Sequence, residues 1–139
     1  MKLKTILSIA CSILILASCK KYEDGPLLSL RSKKERIANT WTVESAYDNG
    51  EDVTDDFDQY ELQMLVDGNA SLAALYSFGD LNFEFETDGT WDFEDNKNDL
   101  ALDFENDDAD RTYEILKLKE EELWLMEKGG NLELHLEPR

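Results

Sequence analysis

From residue 39 to the end of the chain, apolar and polar positions alternate with a period close to two. The pattern is clearest in the segments 41–47, 60–66, 83–86, 91–94, 100–105 and 132–137. In the first segment it predicts that Trp41, Val43 and Tyr47 share the apolar face. One apolar and one charged face on strand after strand is typical of an antiparallel sheet that meets water on one side. The sequence therefore predicts eight or nine antiparallel strands.

Turn-forming residues separate most of these segments. They occur at Asp67-Gly68-Asn69, Asp88-Gly89, Asn106–Asp110 and Gly129-Gly130. Their spacing is close to that of one strand plus one turn, which is typical of a sheet built from hairpins.

The alternation predicts the register of the second of these hairpins. A two-residue loop at Asp88-Gly89 would place Phe85 opposite Asp92, an aromatic ring beside a carboxylate. A three-residue loop that begins at Thr87 instead places Phe85 opposite Trp91, with the aromatics on one buried face. That loop needs a left-handed residue, which Gly89 supplies.

At Gly129-Gly130 a two-residue loop satisfies the alternation directly. It pairs Leu125 with Leu134 and Leu123 with Leu136. Trp124 and Met126 then lie on the other face, beside Glu133 and His135.

Two segments carry helical signals. Ser32 followed by Glu35 matches a capping box, which predicts a short helix over Lys33–Ala38. The stretch 70–78, ASLAALYSF, is rich in alanine and leucine, so its composition is compatible with a strand or a helix.

Closure of the sheet follows from the cost of exposed strand edges. Eight or nine short strands leave unpaired edges unless the sheet closes on itself. We predict an all-β fold, a single antiparallel up-and-down barrel with a short N-terminal helix. A two-sheet sandwich has the same periodicity and stays open as an alternative.

The N-terminus has the three parts of a secretory signal. Lys2 and Lys4 precede an apolar stretch from Ile6 to Leu16, and small residues lead to Cys19. At 1.5 Å per residue, the apolar stretch is about 16 Å long, too short for a hydrocarbon layer of about 30 Å. We therefore predict a signal peptide over residues 1–18 that is removed.

The residues Leu16-Ala17-Ser18-Cys19 look like a bacterial lipobox. This resemblance implies that Cys19 becomes the new N-terminus and carries fatty acyl chains such as palmitate, which hold the protein on a membrane. Two or three chains give stable anchoring, because each buried CH₂ contributes about 0.8 kcal/mol. We predict a lipoprotein of the cell envelope, on the outer membrane, with a tether over residues 19–29 and a barrel domain over residues 30–139.

The charge is strongly negative and unevenly distributed. The chain has a formal net charge of −18, and residues 37–139 contain 29 acidic and 6 basic residues. The basic residues concentrate in 19–36, which anionic headgroups attract while they repel the acidic body. Phosphate backbones need the opposite sign, so we expect no nucleic-acid partner.

Three stretches carry a resemblance to a family. CKKYEDGPLLSLRSKKERIANTW (residues 19–41), ILKLKEEELWLMEKGG (115–130) and ELHLEP (133–138) resemble the small lipocalin-like lipoproteins of Bacteroidota. The resemblance covers nearly the whole chain. It implies an eight-stranded barrel on a lipidated tether, with Asn39-Thr40-Trp41 at the position of the lipocalin Gly-x-Trp. It implies no catalytic residues.

Signals for catalysis and metal binding are weak. The chain has one histidine, His135, which alternates with Glu133 and Glu137 on a face expected to be charged and exposed. The acidic runs Asp95–Asp99 and Asp103–Asp110 lack the glycine and glutamate positions of an EF-hand, so we interpret them as solvated turns. We expect a non-enzymatic protein with no cofactor and no metal.

The aromatic residues indicate the function. Trp41, Tyr60, Phe83, Phe85, Trp91, Phe93, Phe104 and Tyr113 all lie on faces expected to be apolar. An eight-stranded barrel either fills with side chains or holds one small ligand. We expect a binding module for a small apolar ligand, with the first six of these aromatics as candidate ligand contacts. The alternative is an interaction or structural lipoprotein with a packed interior and an acidic exterior.

Overall fold

The computed structural model describes residues 31–78 and 81–139, and the side chains of 76–78 and 81–83 are not part of the description. The predicted signal peptide and the whole predicted tether, including Cys19, lie outside the described residues. Within the described residues, the helix α1 spans Lys33–Ile37 and is followed by nine strands: β1 Thr40–Asp48, β2 Glu51–Asp52, β3 Glu61–Met64, β4 Asn69–Phe78, β5 Leu81–Glu94, β6 Asp99–Phe104, β7 Arg111–Leu118, β8 Leu123–Glu127 and β9 Leu132–Pro138.

The strands form one closed antiparallel barrel. Each strand from β3 to β8 pairs with the next, and β1 pairs with both β3 and β9. The short β2 lies outside the barrel and pairs only with the end of β1. The predicted all-β barrel with a short helix is confirmed, the sandwich alternative is wrong, and the ambiguous stretch 70–78 is a strand.

The predicted hairpin at Asp88-Gly89 is wrong, because β5 runs without a turn from Leu81 to Glu94. Phe85 and Trp91 therefore lie on one strand, six residues apart, and share a face by the alternation of that strand. Gly89 does not have a positive φ. It is needed for close approach instead, since a Cβ atom there would lie 2.1 Å from the carbonyl oxygen of Asp103 on β6. Such glycines occur where strands of a barrel bend closely together.

The expected face of Tyr47 is also wrong. The register of β1 against β9 shifts between Val43 and Ser45, so the strand contains a bulge. The extra residue reverses the alternation beyond it. Trp41 and Ala46 are both buried inside, whereas Tyr47 lies on the outer surface beside His135.

The register at Gly129-Gly130 is confirmed. Leu123 pairs with Leu136 and Leu125 pairs with Leu134. All four leucines are fully buried. The turns at Asp67-Gly68-Asn69 and Asn106–Asp110 also occur where the sequence predicts them, between β3 and β4 and between β6 and β7.

The predicted helix is confirmed and closes one end of the barrel. The hydroxyl oxygen of Ser32 accepts a hydrogen bond from the backbone N–H of Glu35 at 3.1 Å, as a capping box requires. Ile37 is fully buried, and Arg36 donates to the carbonyl oxygen of Leu118 at the end of β7. We call this the closed end. The opposite end, where β1 leads into β2 and β8 turns into β9, is the open end.

Candidate functional site

The open end is shaped by the segment between β1 and β3. β3 pairs only with Thr40–Thr42, so the rest of β1 needs another partner on that edge. A tight turn at Asn49-Gly50, with φ of 52° and 83°, returns the chain along β1 as β2. Positive φ at both central residues is typical of a two-residue hairpin, and Asn-Gly is its preferred sequence. Residues 51–59 therefore cover the open end of β1.

Polar contacts of Thr54 hold this segment on β1. The hydroxyl of Thr54 accepts the backbone N–H of Ala46 at 3.1 Å and donates to the carboxylate of Asp52 at 2.6 Å. Asp52 also accepts the backbone N–H of Thr54 at 2.9 Å. These bonds lower the pKa of the Asp52 carboxyl below its ordinary value, because they favour its charged form.

The fixed segment forms one wall of a cleft of about 650 Å³ at the open end. Four apolar side chains form its inner surface: Val53, Phe57, Leu75 and Leu132. Val53, Phe57 and Leu132 are partly buried and also pack against the hydrophobic core. The volume of this cleft is in the range of small-molecule sites, and its apolar surface continues the hydrophobic core.

The rim of the cleft is acidic. Carboxylates come from Asp48, Asp55, Asp56, Asp58 and Glu127, and the polar neutral residues are Gln59 and Asn131. Among the described residues, no lysine or arginine lines the cleft. The Glu127 carboxylate lies 3.4 Å from the guanidinium of Arg111, which reduces its effective charge. The other four carboxylates belong to exposed residues.

The tryptophans proposed as ligand contacts lie inside the barrel. Trp41 is fully buried, and its indole N–H donates to the carbonyl oxygen of Ile37 at 2.8 Å. Trp91 is 5% exposed, and its indole N–H donates to the carbonyl oxygen of Leu65 at 2.7 Å. Both bonds connect the barrel wall to segments at the closed end, so both rings have a structural role there.

The other four candidates are divided between the core and its margin. Tyr60 is buried and makes an edge contact with Phe57, 5.9 Å between ring centroids, so it lies directly behind the cleft surface. Phe85 and Phe93 are partly buried against the core. The side chain of Phe83 lies outside the description. None of the five described side chains lines the acid-rimmed cleft, and a ligand contact of any of the six stays a prediction.

His135 is not the solvated side chain that the alternation suggested. Its side chain is 16% exposed, and its ring stacks on Trp124 with centroids 3.9 Å apart and planes 5° apart. Its Nε2 lies 2.8 Å from the carboxylate of Glu133. Lys117 extends over Trp124, 4.3 Å from its ring centroid. The β1 bulge adds Tyr47 to this outer cluster. The face of β9 that carries His135 is therefore half-buried, although the sequence pattern predicts it to be exposed.

The acidic turns stabilise the backbone. Asp110 accepts the backbone N–H of Phe104 at 2.6 Å, and Asn106 accepts that of Asp108 at 3.0 Å. Asp99 is buried and pairs with Lys128 at 2.6 Å. Within the described part of the chain, no group of three or more potential ligands is arranged to hold a metal ion.

Comparisons with protein-family models, with curated proteins and with solved structures gave no match for this chain. In the described residues, no helix is long and apolar enough to cross a membrane.

The residues of the cleft were not predicted from the sequence. Asn49-Gly50 is a strong hairpin signal, but the strand that follows it contains only Glu51 and Asp52, which show no alternation of apolar and polar residues. Val53 and Phe57 are separated by acidic residues, so the segment looks like a solvated loop. Its proximity to Leu75 and Leu132 depends on the closure of the barrel.

Proposed function

We propose that this protein is a lipid-anchored, non-enzymatic binding module that takes a small apolar ligand in the cleft at its open end. The observation that carries the proposal is the cleft of about 650 Å³ with the apolar surface of Val53, Phe57, Leu75 and Leu132. Below it, buried apolar side chains pack together in the barrel interior. The ligand therefore binds at the mouth rather than among the aromatics of the core.

The anchored half of the proposal derives from Leu16–Cys19 and from the resemblance to lipocalin-like lipoproteins. α1 lies at the closed end and directly follows the tether in the chain. An acylated Cys19 would thus connect the protein to the membrane through the α1 side of the barrel. The cleft is at the other end, where it is open to ligands from solution.

Binding of Nile red, a neutral probe that fluoresces in apolar surroundings, tests this proposal. We use the lipid-free chain, residues 19–139 with Cys19→Ala, so that attached lipid does not bind the dye. The expected result is saturable binding, which Gln59→Trp abolishes by filling the cleft. Gln59 is exposed, so the substitution leaves the core intact.

Gln63→Trp is the matched control, because Gln63 is also exposed but lies on β3 outside the cleft. It should bind the dye like the parent chain. Equal loss in both variants, or no saturable binding in the parent, would favour the alternative function, an interaction protein with a packed barrel and an acidic exterior. Native mass spectrometry of the parent adds a search for a co-purified small molecule.

A further inference from the structure

The charges around the cleft restrict which apolar ligands it accepts. Asp48, Asp55, Asp56 and Asp58 bring four carboxylates to the rim, and Glu127 brings a fifth that Arg111 partly neutralises. Because the cleft is only partly open to water, field lines from these groups concentrate in it. A carboxylate-bearing ligand such as a fatty acid would be repelled, whereas a cation would be attracted.

The carboxylates are arranged around a cleft rather than toward a single point. They come from the end of β1, the segment 51–59 and the end of β8, and within the described chain no group of three is close enough to hold a metal ion. A compact divalent ion needs six or more oxygen atoms at about 2.0–2.6 Å. A larger organic cation, whose charge is spread over its substituents, does not.

The apolar surface and the acidic rim are parts of one cleft. Phe57 and Asp56 are adjacent in the chain, and so are Leu132 and Asn131, so each wall presents an apolar side chain inward and a polar one at the rim. An aromatic ring close to a cation adds a further attraction. A ligand with an apolar body and a charged head satisfies both parts at once.

Given the proposed function, on which this inference rests, we propose that the cleft selects small amphiphiles that carry an organic ammonium group. The apolar chain lies on Val53, Phe57, Leu75 and Leu132. The ammonium group lies at the rim, near Asp55 and Asp56. Selection for positive charge is the new element here, since the apolar surface alone does not distinguish cationic, neutral and anionic amphiphiles.

Three amphiphiles with the same twelve-carbon chain test the proposal by calorimetry, each below its micelle concentration. They are dodecyltrimethylammonium, octaethylene glycol monododecyl ether and dodecyl sulfate, and the protein is the lipid-free chain. We expect the ammonium compound to bind at least about tenfold more tightly than the neutral one at low salt. The preference should decrease as salt shortens the Debye length from about 30 Å at 0.01 M to about 10 Å at 0.1 M.

The double variant Asp55→Asn/Asp56→Asn removes two rim charges from exposed residues. Its affinity for the ammonium compound should fall roughly three- to tenfold, while its affinity for the neutral ether is unchanged. The control Glu86→Gln/Glu137→Gln makes the same change in net charge at exposed outer positions of β5 and β9. It should keep the preference for the cation.

The outcomes separate this inference from the function on which it rests. Equal binding of the neutral and cationic compounds would overturn the selection for charge, but it would agree with the binding of apolar ligands in the cleft. Absence of saturable binding for all three compounds would overturn both. An equal loss of the preference in the two double variants would show that net charge, and not the rim of the cleft, attracts the cation.

Discussion

The backbone of β6 passes so close to β5 that a Cβ atom on Gly89 would lie 2.1 Å from the carbonyl oxygen of Asp103. Real Cβ atoms do not approach so closely, so the two strands would have to separate. The added Cβ atom would meet backbone atoms of β6, so rotation of a side chain would not relieve the clash. Gly89 therefore determines how tightly the barrel closes between β5 and β6.

Gly89→Ala should lower the free energy of unfolding by about 1–3 kcal/mol, the usual cost of overpacking. Gly130→Ala is the control, because its Cβ would meet only the flexible side chain of Glu127. It should cost less, since that side chain can rotate away. Urea unfolding of the lipid-free chain measures both values. Equal losses would contradict the tight closure at Gly89.

Trp91 attaches the β3–β4 turn to the barrel through its indole N–H, which donates to the carbonyl oxygen of Leu65. Trp91→Phe should lower the free energy of unfolding by about 1–3 kcal/mol, because it removes this bond and leaves space in a buried site. Trp124→Phe, in a half-exposed ring of the outer cluster, should cost less. Urea unfolding that ranks the two variants in the opposite order would contradict this role of Trp91.

These positions show how far the sequence predicts the fold. Leu123 and Leu136 pair as predicted, because a two-residue turn and the burial of every second residue leave only one register. The hairpin predicted at Asp88-Gly89 was wrong, because a glycine is equally compatible with a turn and with a close approach of two strands. The face predicted for Tyr47 was wrong because a bulge at Glu44 has no reliable local signal. The cleft was not predicted, since its residues meet only when the barrel closes.

The Asp52 carboxylate should make stability depend on pH. Its pKa is lower in the folded chain than its ordinary value of 3.8, because Thr54 donates two hydrogen bonds to the charged form. The stabilisation is therefore fully present above about pH 3.8 and is lost as the pH falls through the lower, folded pKa. Asp52→Asn keeps an acceptor oxygen but does not titrate.

The difference in free energy of unfolding between the parent and Asp52→Asn should thus decrease as the pH falls below 3.8. Taking this difference cancels the effect of the many other carboxylates, which titrate in both chains. Urea unfolding at a series of pH values measures it. A difference that stays constant between pH 5 and pH 2.5 would show that Thr54 does not favour the charged form of Asp52.

The lipid anchor is tested in growing cells. Labelled palmitate should be incorporated into the protein, and Cys19→Ala should abolish the label and move the protein to the soluble fraction. Ser18→Thr, which changes a neighbouring residue and keeps the cysteine, is expected to retain some label. A Cys19→Ala variant that remains on the membrane would contradict the interpretation of Leu16–Cys19 as a lipobox.

NMR titration of the lipid-free chain with dodecyltrimethylammonium shows where on the barrel the ligand binds. We predict saturable shifts for the side chains of Val53, Phe57, Leu75 and Leu132. The indole N–H signals of Trp41 and Trp91 should move little, because both groups are bonded to backbone carbonyl oxygens toward the closed end. Large shifts at these two indoles with none at the cleft would place the ligand in the core and contradict its binding at the open end.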